Sequence, residues 1–190
     1  RWNKNKLMES SIETDDLDEL KIGVIVVARM KSSRLKNKAL LKINDIESLG
    51  WCLERCKAFT GVDKVILATS DLEEDKVLSK IAKNHKVEFF QGSAENVIIR
   101  NIEAAKLYGL DVIIRVTGDN PLVSPEIAEI ILNDFIKSSV DYCSPKKFTL
   151  GTAVEIFTYK SLLDINEKFK AGKHSEYLTW YYQNNQDYFK

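Results

Sequence analysis

The sequence is poor in cysteine and histidine, and it lacks any long hydrophobic run. Three cysteines and two histidines occur in 190 residues. The odd number of cysteines has no metal-site spacing, and Cys52 and Cys56, one helical turn apart, are interpreted as a partly buried thiol pair. No apolar run is long enough to span a bilayer, and the first residues contain no apolar signal-peptide core. These absences favour a cytoplasmic protein and argue against membrane insertion.

The chain also has no excess charge, with 28 basic and 28 acidic residues. Zero net charge argues against bulk attraction to nucleic acid or to an anionic membrane, so an electrostatic function must be local. The hydrophobic fraction of 44% and the charged fraction of 29% are typical of a soluble globular protein, and the length suits one domain. Residues 1–20 are polar and acid-rich. We interpret them as a tail, a linker or a helical extension before a domain at 21–190.

From residue 21 onward, apolar patterns typical of strands and helices alternate. The predicted strands are 21–28, 63–70, 86–90, 111–117 and 152–159. The predicted helices are a segment with helical spacing from Ile46 to Cys56, then 73–85, 94–109 and 124–138, with others after Lys160 and His174. This alternation predicts an α/β fold with a mostly parallel sheet and helices on both faces. Ligands bind such sheets at the carboxyl ends of the strands, which selects the loops 29–38, 69–72, 91–93 and 117–123.

The first of these loops is strongly basic. Between Arg29 and Lys42 there are six basic residues and no acidic one. Arginine offers planar, bidentate donors and lysine a mobile point charge, so cations that converge beyond a strand are suited to a polyphosphate. The glycine patterns of Walker and dinucleotide-binding loops are absent. The alternative interpretation is a solvated basic loop.

The loop after the fourth strand contains a carboxylate in a tight turn. Asp119 lies just past the predicted strand end, in a turn made by Gly118 and Pro121. A carboxylate there can hold Mg²⁺, which commonly bridges a protein carboxylate to substrate phosphates. The alternative is a turn in which Asp119 bonds its own backbone. The remaining two loops, in 68–75 and 90–97, are either helix starts or walls of a nucleotide pocket.

Taken together and in order, four segments resemble one enzyme family. ARMKSSRLKNKAL, ATSDLEED, GSAENVIIRNIEAAKLYG and VIIRVTGDNPLVSPE resemble the motifs of the cytidylyltransferases that make CMP-sugars. The nearest match is the spore-coat-polysaccharide type, related to CMP-sialic acid and CMP-octulosonate synthetases. The resemblance covers about residues 21–190 and implies a three-layer, Rossmann-like nucleotide-diphosphosugar transferase fold.

The resemblance implies a magnesium-dependent reaction for surface polysaccharide biosynthesis. A hydroxyl of a sugar or sugar acid would attack the α-phosphorus of CTP and release pyrophosphate. Arg29, Arg34, Lys38 and Asp119 would be catalytic, with Asp119 as the Mg²⁺ ligand and Arg115 supporting the loop. A homodimer is compatible with the resemblance. The residues that it implies in nucleotide binding are Ala28, Arg29, Met30, Ser32, Arg34, Lys38, Thr69, Ser70, Asp71, Gly92, Ser93, Asn96, Arg115, Thr117 and Asp119.

The sequence departs from the family pattern mainly on the sugar side. Ala153 stands where the family has an aspartate, and strand alternation predicts Glu155 on the same face as partial compensation. Ser175 and Tyr177 replace an arginine and a histidine. The resemblance also implies a V-D-T-P-E-D-L segment, whose aspartate completes the metal site and which does not occur before Lys190.

The basic loop departs from the pattern by its lack of glycine. Lys31 replaces one usual glycine, and Lys36-Asn37 replaces Pro-Gly. Asn37 tolerates left-handed geometry and is expected to replace the second glycine. Because of all these departures, the alternative function is a catalytically inactive nucleotide-binding or assembly module. A glycosyltransferase on the same fold ranks last, because GDNP supplies only one carboxylate of a D-x-D motif.

Overall fold

The computed structural model describes residues 20–31, 35, 37–169 and 178–190, and it contains a six-stranded sheet with helices on both faces. The strands of this sheet are β1 (Ile22–Val27), β4 (Lys64–Ser70), β5 (Glu88–Gly92), β6 (Val112–Thr117), β7 (Tyr142–Cys143) and β8 (Glu155–Thr158). The short strands β2 (Lys42–Ile43) and β3 (Ile46–Glu47) form a separate antiparallel hairpin. The α-helices are α1 (Ser48–Lys57), α2 (Leu78–His85), α3 (Val97–Tyr108), α4 (Pro125–Ser138), α5 (Tyr159–Phe169) and α6 (Thr179–Gln183).

The sheet order β5-β4-β1-β6-β8-β7 confirms the mostly parallel arrangement. β5, β4, β1 and β6 are parallel to one another, whereas β8 is antiparallel to both β6 and β7. β1 is central, and five of its six residues are buried, as expected of a strand covered on both faces. The carboxyl ends of four adjacent strands therefore lie at one edge of the sheet.

Two hydrophobic clusters lie on opposite faces of this sheet. On one face, Val24 and Val26 pack with residues of α1, α2 and α4; on the other, Ile25 and Ile113 pack with residues of α3, α5 and α6. The aromatic segment at the C-terminal end belongs to the second cluster, where Tyr182 stacks on Tyr142 with ring centroids 4.4 Å apart. The aromatic segment therefore packs on the sheet.

The end of α3 and the start of α4 carry residues typical of helix caps. Ser124 accepts a hydrogen bond from Ile127 N at the start of α4, and Pro125 occupies the first turn. Gly109 ends α3 in the left-handed conformation at φ 66°. None of the helices within the described ranges is both long and apolar enough to cross a membrane.

Several predicted boundaries were wrong. Ile46 has helical spacing with later apolar residues but pairs with Ile43 in the β2–β3 hairpin, so α1 begins two residues later. The predicted helix 73–85 is a 3-10 helix, Glu73–Val77, followed by α2. The predicted strand 86–90 is displaced by two residues to β5, because Lys86 is a left-handed helix end at φ 56°. The strand predicted at 152–159 is shorter, as β8.

Candidate nucleotide site

The four loops selected from the sequence meet at the carboxyl edge of the parallel strands. Backbone hydrogen bonds join them there: Ala28 N donates to Ala68 O at 3.2 Å, and Asp71 N donates to Gly92 O at 2.9 Å. Gly118 N donates to Val27 O at 2.9 Å. The basic loop thus leaves the sheet between the ends of β4 and β6, as the strand order requires.

Lys38 and Asp119 form an ion pair at this edge. Lys38 Nζ lies 2.5 Å from Asp119 Oδ2, and the two side chains are 34% and 43% exposed. Partial burial raises the pKa of Asp119, but hydrogen bonds from Lys38, from the Thr117 side chain and from the backbone, together with the charge of Lys38, hold it below its ordinary value. The predicted triphosphate-binding cation and the predicted metal-binding carboxylate are therefore in direct contact, and both remain accessible.

Asn37 supplies the turn that brings Lys38 to this position. Asn37 adopts the left-handed conformation at φ 54° and ψ 30°, immediately before the 3-10 helix Lys38–Leu40. Asparagine visits this region more readily than most residues with a side chain. The expectation that Asn37 replaces a glycine is confirmed.

The turn that carries Asp119 is held from three sides. Asn120 Nδ2 donates to Thr117 Oγ1 at 2.7 Å, and Arg55 Nε of α1 donates to Val123 O at 2.5 Å. A Cβ on Gly118 would lie 2.8 Å from both Ala28 Cβ and Leu49 Cδ1, so only glycine permits this close approach. The turn is rigid as well as exposed, and this suits a metal ligand.

A buried carboxylate that the sequence analysis did not select lies next to Met30, near the start of the basic loop. Asp75 is 1% exposed, and its Oδ1 accepts a hydrogen bond from Met30 N at 2.6 Å. Its Oδ2 accepts one from Ser70 Oγ. Ser70 and Asp71 do not cap the following helix, which has Leu72 at its N-cap without a side-chain bond. Only the run of acidic residues at 73–75 could have pointed to Asp75.

The segment from Gly92 to Asn96 forms the start of α3. Asn96 Oδ1 accepts hydrogen bonds from Ile98 N and Ile99 N at 3.0 and 3.1 Å, and Ser93 Oγ accepts one from Asn96 N. Arg100, fully buried on α3, donates from Nε and Nη2 to Ser93 O at 2.9 and 2.6 Å. The helix-start interpretation is thus confirmed, and nucleotide contacts by Gly92, Ser93 and Asn96 stay a prediction.

Arg115 of β6 makes its ion pair with the neighbouring strand β8. It donates from Nη1 to Glu155 Oε2 on the neighbouring β8, and its Nε is buried without a hydrogen-bond partner among the described residues. The expectation that Glu155 shares a face with Ala153 was wrong. Ala153 precedes β8 and packs against the cluster of α1, α2 and α4. Glu155 lies two residues before Phe157 in β8 and therefore shares its face, which is that of the opposite cluster.

The remaining predicted residues have different environments. Ala28, Thr69 and Ser70 are buried at the strand ends, Met30 is half-buried, and Arg29 and Asp71 are exposed. Cys52 and Cys56 are both buried, and hydrogen bonding to Cys52 together with burial raises the pKa of the Cys56 thiol. The predictions for Ser32, Arg34, Ser175 and Tyr177 lie outside the described residues.

The donor set around Asp119 suits Mg²⁺ only if substrate completes the coordination. Within the described ranges, no group of three or more His, Cys, Asp or Glu side chains could hold a metal. Mg²⁺ is commonly bound through one or two carboxylates together with water and phosphate oxygens. A half-exposed Asp119 beside a lysine fits that kind of site and not an all-protein cage.

A cavity at the opposite edge of the sheet is separate from these residues. Its volume is about 350 Å³, and it lies at the amino ends of β4 and β5, between Lys57, Lys64 and Lys86. It contains none of the predicted site residues. Because ligands bind parallel sheets at the carboxyl edge, the candidate site remains the edge that carries Lys38 and Asp119.

The fold and this edge define an α/β nucleotidyltransferase, and comparisons specify the family. A family model described as cytidylyltransferase matches residues 23–190. The chain is 38% identical to an uncharacterized protein, MJ1063, of Methanocaldococcus jannaschii, over 90% of this chain and 70% of that protein. It is 31% identical to the spore coat polysaccharide biosynthesis protein SpsF of Bacillus subtilis, over 85% of this chain and 69% of that protein.

Two of the solved structures that share this fold illustrate the similarity. A cytidylyltransferase from Leptospira borgpetersenii matches with a TM-score of 0.83 and 32% identity, over 90% of this chain and 74% of that chain. A CMP-2-keto-3-deoxy-manno-octonic acid synthetase complexed with CTP matches with a TM-score of 0.64 and 18% identity, over 77% and 78% of the two chains. The chain belongs to the cytidylyltransferase family, whose members are nucleotidyltransferases.

Proposed function

We propose that this protein transfers the cytidylyl group of CTP to a hydroxyl of a sugar or sugar acid, with Mg²⁺, to give a CMP-sugar and pyrophosphate. The observation that carries the proposal is the contact between Lys38 and Asp119 at the carboxyl edge, beside the basic loop and the ends of β1, β4 and β6. A cation for phosphate and a carboxylate for a metal stand within one hydrogen bond of each other.

The proposed reaction needs little covalent chemistry from the protein. The acceptor hydroxyl oxygen bonds to the α-phosphorus, the bond from that phosphorus to the oxygen bridging to the β-phosphate breaks, and the hydroxyl proton passes to solvent. Charge grows on the departing pyrophosphate, so positioning and neutralisation supply most of the acceleration. Lys38, with Arg29 and Arg34 as further expected phosphate contacts, would bind and orient the β- and γ-phosphates.

Asp119 would hold Mg²⁺ in this scheme. Bound there, Mg²⁺ would supply Lewis-acid neutralisation of the phosphate oxygens. In the free protein Lys38 balances the charge of Asp119, so CTP and the metal together replace one ion pair by two: Lys38 with phosphate and Asp119 with Mg²⁺. Neither group is left unpaired once both ligands are bound, which favours joint binding.

The proposed acceptor class and pathway draw on the relatives. The name of SpsF refers to spore coat polysaccharide biosynthesis, and the synthetase that binds CTP acts on an octonic acid. A sugar or sugar acid destined for a surface polysaccharide is therefore the proposed acceptor. Ala153, which stands where the family pattern has an aspartate, distinguishes this chain on the proposed acceptor side and favours an acceptor other than those of the family pattern.

An assay of pyrophosphate release tests this proposal. The protein is incubated with Mg²⁺, CTP and a panel of sugars and sugar acids, with ATP and GTP as matched controls. We expect release with CTP and at least one acceptor, and little with the other nucleotides. The second candidate, a catalytically inactive nucleotide-binding module, is favoured by Ala153; it predicts CTP binding without release for every acceptor.

A further inference from the structure

Asp75 connects the two halves of the candidate nucleotide site. Its carboxylate accepts hydrogen bonds from the backbone of Met30, where the basic loop begins, and from the Ser70 hydroxyl at the end of β4. Ser70 Oγ in turn accepts a bond from Leu72 N at 3.3 Å. One side chain of the 3-10 helix Glu73–Val77 thus bonds both the predicted phosphate loop and the predicted nucleoside wall.

The same network continues into β5. Gln91 Nε2 donates to Ser70 O at 3.1 Å, and Asp71 N donates to Gly92 O at 2.9 Å. The ends of β4 and β5 are therefore fixed relative to each other by bonds beyond their strand pairing. Asp75 is the side chain that links this unit to the basic loop.

The environment of Asp75 is costly for a carboxylate. It is 1% exposed, and within the described ranges it accepts hydrogen bonds from one backbone N–H and one hydroxyl, with no cation in an ion pair. Burial of a charged group costs free energy unless hydrogen bonds compensate for the lost water. An apolar side chain would fill the space more cheaply but would leave Met30 N without an acceptor.

We infer that Asp75 is a positioning residue, which fixes the direction in which the basic loop leaves β1. It has no contact with substrate in this role. It anchors the loop at Met30, and the left-handed turn at Asn37 and the Lys38–Asp119 pair hold the other end. The inference rests on the proposed function, because the loop's cations are taken to bind the triphosphate of CTP.

Two nucleotides separate this role from a general one. CTP reaches the basic loop through its β- and γ-phosphates, whereas CMP lacks both. If Asp75 acts through the loop, the Asp75→Asn variant, which keeps the size of the side chain, should bind CTP about tenfold more weakly. Its affinity for CMP should change less than about twofold. Calorimetric titration gives both dissociation constants and the stoichiometry.

The control is Glu74→Gln, which makes the same chemical change one residue away at an exposed position. It should leave both affinities at their wild-type values. Thermal unfolding of each variant shows whether it is folded at the titration temperature, because a fraction unfolded in reversible equilibrium would by itself weaken the apparent affinity for both nucleotides. Ser70→Ala, which removes only one of the two bonds, gives a second variant if Asp75→Asn does not fold.

The outcomes distinguish the inference from the proposed function. Failure of the wild-type protein to bind CTP would overturn the proposed function, and the inference with it. If the wild type binds CTP and Asp75→Asn binds it equally well, the inference alone is wrong. Equal weakening of CTP and CMP at full stoichiometry would also overturn it, because the defect would then not lie in the phosphate loop.

Discussion

Two ion pairs flank the carboxyl end of β6, and they differ in accessibility. The side chains of Lys38 and Asp119 are 34% and 43% exposed, whereas those of Arg115 and Glu155 are 12% and 25% exposed. An exposed pair contributes little to stability and is easily opened by a ligand. A more buried pair is costly to separate, because each partner left alone lacks solvation. On the proposed function, the Lys38–Asp119 pair can therefore open when CTP and Mg²⁺ bind, whereas the Arg115–Glu155 pair stays closed.

The sequence shows the same division between the two sides. Lys38 of the basic loop and Asp119 of the Gly118–Asn120 turn match the family pattern, and these two side chains are in contact in the structure. On the other side, the usual aspartate is Ala153, and Glu155 is engaged with Arg115. The proposed function therefore assigns CTP binding and choice of acceptor to separate sets of residues, which substitutions can test independently.

Replacement of Asp119 should give the largest effect and should be confined to the nucleotide side. Asp119→Asn keeps the shape of the turn but removes the charge that would hold Mg²⁺. We expect kcat/KM for CTP to fall about 100-fold or more, since neutralisation of phosphate charge by a metal is worth several kcal/mol. Pyrophosphate release at saturating Mg²⁺ measures the change. Wild-type turnover by this variant would remove Asp119 from the site.

Replacement of Lys38 should affect the two ligands in opposite directions. Lys38→Met should weaken CTP binding about tenfold, because a charge-assisted bond to phosphate is lost. In the absence of CTP, Mg²⁺ should bind this variant more tightly, because Asp119 no longer has a competing cation. Calorimetric titration with each ligand checks both signs. Lys42→Met, at an exposed position of the hairpin, is the matched control; equal losses for both variants would indicate a diffuse charge effect.

Replacement of Glu155 should affect stability and leave nucleotide binding intact. Glu155→Gln leaves Arg115 without its counter-charge in a largely buried position, so the free energy of unfolding should fall by about 2 kcal/mol. The affinity for CTP should change less than about twofold. Denaturant unfolding and calorimetry provide the two values, with Glu74→Gln as the exposed control. A large loss of CTP affinity would contradict the division between the two sides.

The smallest expected effect is on the titration of Asp119. Its pKa lies below the ordinary value of 3.8 because hydrogen bonds from Lys38, Thr117 and the backbone, together with the charge of Lys38, exceed the opposing effect of partial burial. The stabilisation from this pair is therefore present above the unfolded-state pKa and is lost as pH falls through the folded-state pKa. In Lys38→Met the pKa of Asp119 should rise, since burial is then opposed only by the hydrogen bonds from Thr117 and the backbone. Carboxyl ¹³C chemical shifts followed by NMR measure it; an unchanged pKa would mean that the pair is absent in solution.

The fold was predictable wherever one local signal was strong. The apolar patterns at 21–28, 94–109 and 124–138 predicted one strand and two helices, and the structure confirms them as β1, α3 and α4. The glycine that ends α3 and the serine that caps α4 are strong local signals of this kind. Ile46 was misassigned because apolar spacing alone does not separate the last residues of a hairpin from the first turn of a helix. The antiparallel insertion of β8 between β6 and β7 depends on long-range pairing that no local pattern encodes.

The candidate site was predictable where its chemistry lies in one short segment. Lys38 and Asp119 were selected by charge and by their place after strands, and the parallel strand order explains why they meet across 81 residues. Asp75 and Arg100 were missed because their roles depend on burial and on bonds to backbone atoms of other segments. In sequence each is an ordinary charged residue of a helix, and only the packing distinguishes it.

We propose that the carboxyl edge of this sheet binds CTP through the basic loop and Asp119. Calorimetric titration of the wild-type protein with CTP, in the presence and absence of Mg²⁺, tests it most directly. We predict saturable one-site binding that Mg²⁺ strengthens and that Asp119→Asn makes independent of Mg²⁺. No CTP binding, or binding with the same Mg²⁺ dependence in Asp119→Asn as in the wild type, would contradict it.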